Sequence, residues 1–220
     1  KKNRRIKIKK LSRNDSCWCG NEKKYKKCHL DIDTAQQKEL QKYKKKGYPV
    51  PSISLIKTAK EIDGIRKSGM LTSAILDMVG QRIEAGVTTN QINSWVHEYT
   101  VSNGAYPAPL NYRGFPKSVC TSINKVVCHG IPDETILKDG DIINVDVTCI
   151  LDGFYGDASR MYLIGNVSSK AKKLVTVTKE CLELGLAQVK PYAELNDIGK
   201  AIQKHAHKNN FSIVYLGCSR

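Results

Sequence analysis

The sequence has no apolar run long enough to span a bilayer, no apolar segment behind its basic start, and no initiating Met. The first lack excludes a membrane-spanning helix. The second excludes a secretory signal at Lys1 to Lys10. The third means that the sequence is read as starting inside a longer gene product. Acidic residues are scarce at the start: residues 1–47 hold 17 of the 36 Lys and Arg but only 5 of the 21 Asp and Glu, so most of the net charge of +15 lies there. Such a block favours polyanions, nucleic acid above all, with binding that weakens in salt. The alternative is a solvated tail that keeps the chain soluble. What remains is ordinary for a soluble protein, 40% hydrophobic and 26% charged over 220 residues, with room for one domain and a small accessory module. A cytoplasmic monomer with no membrane partner is expected.

Without a signal peptide, disulfides are not expected for the eight cysteines. Cys120, Cys128, Cys149, Cys181 and Cys218 are scattered, most of them as buried thiols. Cys17, Cys19, Cys28 and His29 instead supply four ligands in thirteen residues. That set suits a closed tetrahedral zinc site, which can organise a segment too small to build a core.

The expected layout is a basic zinc module over 1–32, a Gln- and Lys-rich linker over 33–50 with a short helix ending at Gly47, and a larger α+β domain over 51–220. Pro49 and Pro51 punctuate its entry. From Thr58, Ile62, Ile65, Met70, Leu71, Ile75, Leu76, Met78 and Val79 recur at helical intervals, up to Gly86. Thr88 or Thr89 caps a second helix carrying Ile92, Trp95, Val96 and Tyr99. Extended segments follow at Ser118–Ile123, Asp141–Ile150 and Tyr155–Ile164. Helices over Lys170–Val189 and Leu195–Asn209 then lead to a strand-like Phe211–Tyr215. Aligning Ile92 with Ile198 also aligns Val96 with Ile202 and Asn103 with Asn209, a weak internal repeat.

The most informative stretch is residues 141–165, DIINVDVTCILDGFYGDASRMYLIG. Asp152-Gly153 between β-branched and aromatic runs predicts a hairpin with a type I′ turn. Leu151 then faces Phe154, and Asp146 faces Ser159. Asp146 and Asp157 become diagonal neighbours on one face, with Cβ atoms roughly 7 Å apart or less. Val145, Val147, Cys149, Leu151, Phe154 and Ala158 take the other face as core. Two carboxylates this close repel each other unless a proton or cation lies between them. Divalent ions suit such oxygen pairs, although a pair of solvated aspartates on an exposed sheet face has the same spacing.

That hairpin, together with the preceding YPAPLNYRGFPKSVCTSINKVVCHGIPD, resembles the type I methionine aminopeptidases, dinuclear metallopeptidases of the creatinase or pita-bread fold. The resemblance covers about residues 50–215. It implies that Asp146 and Asp157 ligate two divalent ions (Co, Mn, Fe, Zn or Ni). It implies that His129 lies beside the metals and contacts the substrate, and that Tyr112, Phe115 and Cys120 line the methionine pocket. A metal-activated water would attack the first peptide bond of nascent polypeptides that begin with Met, removing it. The family's remaining ligands, a histidine and two glutamates, and its glutamate proton shuttle come from the second half of the fold. Here the sequence reads LGCSR after FSIVY, so the fold is expected to be incomplete at the C-terminus and the chain inactive. His205 and His207, on the preceding helix, are expected to be exposed or capping residues.

RNDSCWCGNEKKYKKCH resembles the SEC-C zinc motif, with Ser16 in place of the usual Pro and Asn21-Glu22 in place of Ser-Gly. All four ligands are spared. Lys23, Lys24, Lys26 and Lys27 suggest docking on the ribosome. The alternative to an enzyme is a non-catalytic pita-bread protein that binds ribosome or RNA. A proline-specific peptidase of the same fold is disfavoured by the VCHGIP block and the small pocket residues.

Overall fold

Local chemistry sets where the helices of this chain begin and end. In a computed structural model the described residues are 11–48, 50, 55, 57–190 and 193–214. The basic start, Pro49 and Pro51, Tyr215 and the LGCSR ending with Cys218 lie outside them. The chain divides into two compact units, Lys1–Ile62 and Asp63–Arg220.

The first unit holds a short 3-10 turn, Tyr25–Lys27, and helix α1, Leu30–Lys45. Most of the segment expected as a linker is therefore helical. Asp31 and Asp33 lie in its first turn and Lys42, Lys44 and Lys45 in its last, matching the helix dipole. Gly47, at φ +84°, follows its end.

In the second unit α2, Ala59–Gly80, is followed by α3, Thr89–Ser102. Helix α2 stops at Gly80, not at Gly86. The backbone turns at once, and Gly86 (φ +98°) gives its N–H to the Leu137 carbonyl instead. Thr88 caps α3 in a reciprocal box with Gln91. The strands are β1, Tyr106–Pro107; β2, Cys120–Ile123; β3, Ile142–Leu151; and β4, Phe154–Leu163. All pairs are antiparallel: β3 is central, with β2 and β1 along one edge and β4 along the other. Leu151 pairs with Phe154 and Asp146 with Ser159, as the turn predicts. Asp152 and Gly153 both have positive φ, 52° and 82°, as a type I′ turn requires.

Val145, Val147 and Cys149 are fully buried with Ile75, Val79, Ile92 and Val96. The apolar period of α2 misleads at its N-terminal half: Met70 is 67% exposed, and Ile62 and Ile65 are also exposed. The buried positions there are Ser68 and Thr72, both in contact with Cys149. Gly64 packs on the Phe154 ring and Gly156 on the Ser68 backbone. Helix and sheet approach so closely that only small residues fit, and small residues carry no hydrophobic signal. Ala158, expected in the core, is exposed on the outer strand, while Gly156 and Tyr162 take the buried places of β4. Tyr162 donates its hydroxyl to the Leu76 carbonyl at 2.5 Å.

Helices α4, Ser169–Leu186, and α5, Leu195–Lys208, pack together through Val177, Cys181 and Ala206, with Gly185 against Ile198 and Ile202. The weak repeat has a structural echo. Asn103 and Asn209 each follow a helix with nearly equal dihedrals, and each gives its side-chain amide to the carbonyl four residues earlier. His205 is not a capping residue: it is half-buried, with Nε2 2.6 Å from Glu180 Oε2, whereas His207 is exposed. Residues 211–214 form no strand, because they find no ladder partner among the described residues; Phe211 and Ile213 pack on α4 and α5 instead.

Candidate metal-binding sites

The β3–β4 register decides which side chains meet. Cys120 pairs with Asp146, and Thr148 with Asp157, so these four residues share one face of the sheet. Thr148 donates its hydroxyl to Asp157 Oδ1 at 2.6 Å. Asp146 is half-buried and Asp157 exposed. Burial pushes the Asp146 carboxyl above the usual range, and the Asp157 charge pushes it further, with His129 opposing. An anion already destabilised by an anionic neighbour is the place where a cation gains most, so this pair fits a divalent ion.

Helix α3 fixes the entry to β2. Asn93 accepts the Ser118 backbone N–H, His97 meets the Ser118 hydroxyl at 2.8 Å, and Asn90 accepts from Lys117. The loop after β2 is tied down at its far end by Thr89. The Thr89 hydroxyl donates to the Asp133 carbonyl, and the Asp133 N–H donates to the same hydroxyl, each at 2.9 Å. At the near end the Thr121 N–H donates to Gly130 O, and the Gly130 N–H to Ser122 Oγ. A Cβ at Gly130 would overlap the Thr121 carbonyl, so the loop can lie this close only with glycine there. His129, immediately before the anchored Gly130, has φ +55°, an uncommon value for a non-glycine residue.

A cavity of about 820 Å³ opens over this face. Tyr112, Phe115, Cys120, His129 and Asp146 all line it; Asp157 does not, and reaches it through Thr148. Tyr112 is 64% exposed, whereas Cys120 is buried and its thiol is pushed up to about 11, first by burial and then by Asp146. Arg113, Thr148 and Tyr155 also line the cavity and were not singled out from sequence. Thr148 was within reach, since the hairpin register puts it directly opposite Asp157.

In the first unit the ligand atoms of Cys17, Cys19, Cys28 and His29 all lie within 4.8 Å of one another. Cys17 and Cys28 Sγ are 3.2 and 3.0 Å from His29 Nδ1, and Cys19 Sγ is 3.6 Å from Cys28 Sγ. A tetrahedral zinc with sulfur at ~2.3 Å and nitrogen at ~2.0 Å needs edges of roughly 3.5–3.8 Å, so the donor set fits with small adjustment. Asn21 donates its amide to Cys28 Sγ at 2.9 Å, and its backbone N–H is the main influence lowering the Cys19 pKa. Glu22 has φ +62°, which explains the glycine that the usual motif carries there.

The profile of metallopeptidase family M24 matches residues 63–219, and the SEC-C motif matches residues 13–31. The methionine aminopeptidase of Rickettsia prowazekii (strain Madrid E) is 52% identical over 159 residues, 72% of this chain and 61% of the relative. That of Chlamydia trachomatis serovar D is 42% identical over 212 residues, 93% of this chain and 70% of the relative. The crystal structure of the Rickettsia prowazekii enzyme matches with a TM-score of 0.71 over 72% of this chain and 64% of that one, at 52% identity. Prolidase from Pyrococcus furiosus shares the fold alone, with a TM-score of 0.61 at 16% identity over 70% of this chain and 44% of that one. The chain thus spans a little over three fifths of the Rickettsia relative. The family profile spans the hairpin, the cavity wall and the loop of His129, and the chain belongs to the methionine aminopeptidases of metallopeptidase family M24, with their pita-bread fold.

Proposed function

We propose that the second unit carries the metal-binding hairpin and methionine pocket of a metal-dependent aminopeptidase that removes the initiator Met from nascent proteins. One observation carries this reading: Asp146, His129, Tyr112, Phe115 and Cys120, drawn from four separate segments, open on a single cavity. Asp146 and Asp157 hold two divalent ions (Co, Mn, Fe, Zn or Ni). When bound, such ions supply an activated water and polarise the scissile carbonyl. The residues of this chain do the rest of the work assigned to this half. Thr148 fixes the Asp157 carboxylate, His129 contacts the substrate from its tethered loop, and Tyr112, Phe115 and Cys120 receive the methionine side chain in a largely apolar wall.

Residues 51–220 form the peptidase domain in this reading, 1–32 the zinc module, and 33–50 the connection. Zinc closes the Cys17, Cys19, Cys28 and His29 site. The lysines of the module bring the protein to the ribosome in the cytoplasm, where its substrates emerge.

The test is hydrolysis of Met-Ala-Ser with added Co2+, Mn2+ or Fe2+. It is run on this chain, and on this chain joined to the part of the Rickettsia relative that it does not cover. Release of Met by the joined protein, lost on His129→Ala and on Asp157→Asn, supports the reading. A joined protein that folds, binds metal and releases no Met overturns it.

A further inference from the structure

The first unit presents an aromatic surface that metal binding does not require. Trp18 stands between two candidate ligands, Cys17 and Cys19, yet it is 48% exposed. Its indole N–H donates to Asp33 Oδ2 at 2.9 Å, and its ring centroid lies 4.4 Å from that of His29. Asp33, in the first turn of α1, also accepts the Tyr25 hydroxyl at 2.8 Å. The indole is therefore held at its edge and against one neighbour, while much of the ring faces water. Cys17 is the only buried hydrophobic among described residues 11–48, so these residues form no apolar core in which such a ring could be needed.

Charge follows this ring in the sequence. Lys23, Lys24, Lys26 and Lys27 follow in the same metal-ligand loop, and none forms an ion pair among the described residues. The still more basic residues 1–10 precede it in sequence. Exposed cations and a fixed, exposed aromatic face in one short segment are the two components of single-strand recognition: ammonium groups track phosphates, and a base stacks on the ring. An acidic protein surface would use the lysines but leaves the indole without a role, and a duplex has no free base face to offer it.

We propose that Trp18 is a stacking platform for an unpaired base of RNA, with Lys23, Lys24, Lys26 and Lys27 holding the flanking phosphates. The ring is already immobilised by Asp33 and His29, so stacking costs little further side-chain entropy. This rests on the reading of the module as ribosome-facing and names what it would grip.

The chain has two tryptophans, Trp18 and Trp95, so Trp95→Phe leaves Trp18 as sole reporter. The zinc-loaded full chain in that background is titrated with adenosine RNA of about 12 nucleotides, and with an RNA duplex of the same length. The single strand is expected to quench Trp18 emission and the duplex to leave it unchanged. Trp18→Leu, which stays apolar but loses the aromatic face, weakens single-strand binding about tenfold, whereas Trp18→Phe stays within about threefold. Zinc stoichiometry reports whether each variant is folded; if Trp18→Leu loses zinc, quenching in the Trp18 protein decides alone. Equal binding of strand and duplex without quenching overturns the platform while leaving an RNA-binding module. Binding of neither overturns the platform and the ribosome-facing reading together.

Discussion

Thr148 donates its hydroxyl across the β3–β4 hairpin to Asp157 Oδ1 at 2.6 Å, from a position directly opposite it in the ladder. One carboxylate oxygen is thereby fixed, and the other is the one the proposed metal ion would take. Groups that orient a ligand in this way usually matter almost as much as the ligand itself. Thr148→Val keeps the shape and β-branching but loses the donor. We expect Mn2+ affinity, measured by calorimetry, to fall by about tenfold or more. Unchanged affinity would mean that Asp157 is positioned by something else.

Asp146 gives a pH signature. Its carboxyl is raised first by burial and then by Asp157, so the fold binds its proton more tightly than the unfolded chain does. Stability from this group is complete below the unfolded value of about 3.9 and is lost as pH rises through the higher folded value. At pH 7 the metal-free protein carries a charge it would fold better without. Asp146→Asn should therefore raise the metal-free melting temperature at pH 7, with the gain shrinking towards pH 4. Added Mn2+ should stabilise the unsubstituted protein at pH 7 but not the variant. A variant less stable than the parent at both pH values rules this account out.

The hairpin was legible because a two-residue Asp152-Gly153 turn fixes register, and register fixes faces, so Asp146 and Asp157 could be paired by counting. The cavity was not, because Tyr112, Cys120 and His129 come from segments whose distances apart depend on tertiary contacts such as Thr89 with Asp133. Nothing local predicts the positive φ of His129. Helix α2 misled for a related reason. Its period was right, but Gly64, Ser68 and Gly156 allow a close helix–sheet approach, so the buried stripe is polar and small while Met70 faces water. The resemblance supplied what spacing could not, namely which of several acidic and aromatic side chains share one site.

That close approach makes Gly156 a sensitive point of the fold. A Cβ there would overlap the Ser68 backbone, which is held inside α2 and cannot turn aside. Gly156→Ala should cost about 3 kcal/mol or more in urea denaturation. Gly64→Ala meets the Phe154 ring first, a side chain that can rotate, and should cost about 1 kcal/mol. Equal losses at the two sites would argue against backbone contact as the cause.

The first unit should depend on its metal for structure. Helix α1 buries no residue, and Cys17 is the only buried hydrophobic among residues 11–48. A 16-residue helix with so little packing is marginal in water by itself. What holds its start is the ligand cluster, with His29 immediately before Leu30, reinforced by Asp33 accepting from Trp18 and Tyr25. A metal that brings the three thiols and the imidazole together therefore also sets the first turn of α1, so binding and folding of this unit are one equilibrium. A zinc chelator should melt α1 and open the unit to trypsin at its many lysines. The second unit, whose core is built on β3 and α2, should keep its own melting transition. Cys28→Ser should behave like the chelated protein even with zinc in excess. If α1 stays protected in hydrogen exchange after complete zinc removal, the site is a passenger on the helix and not its anchor.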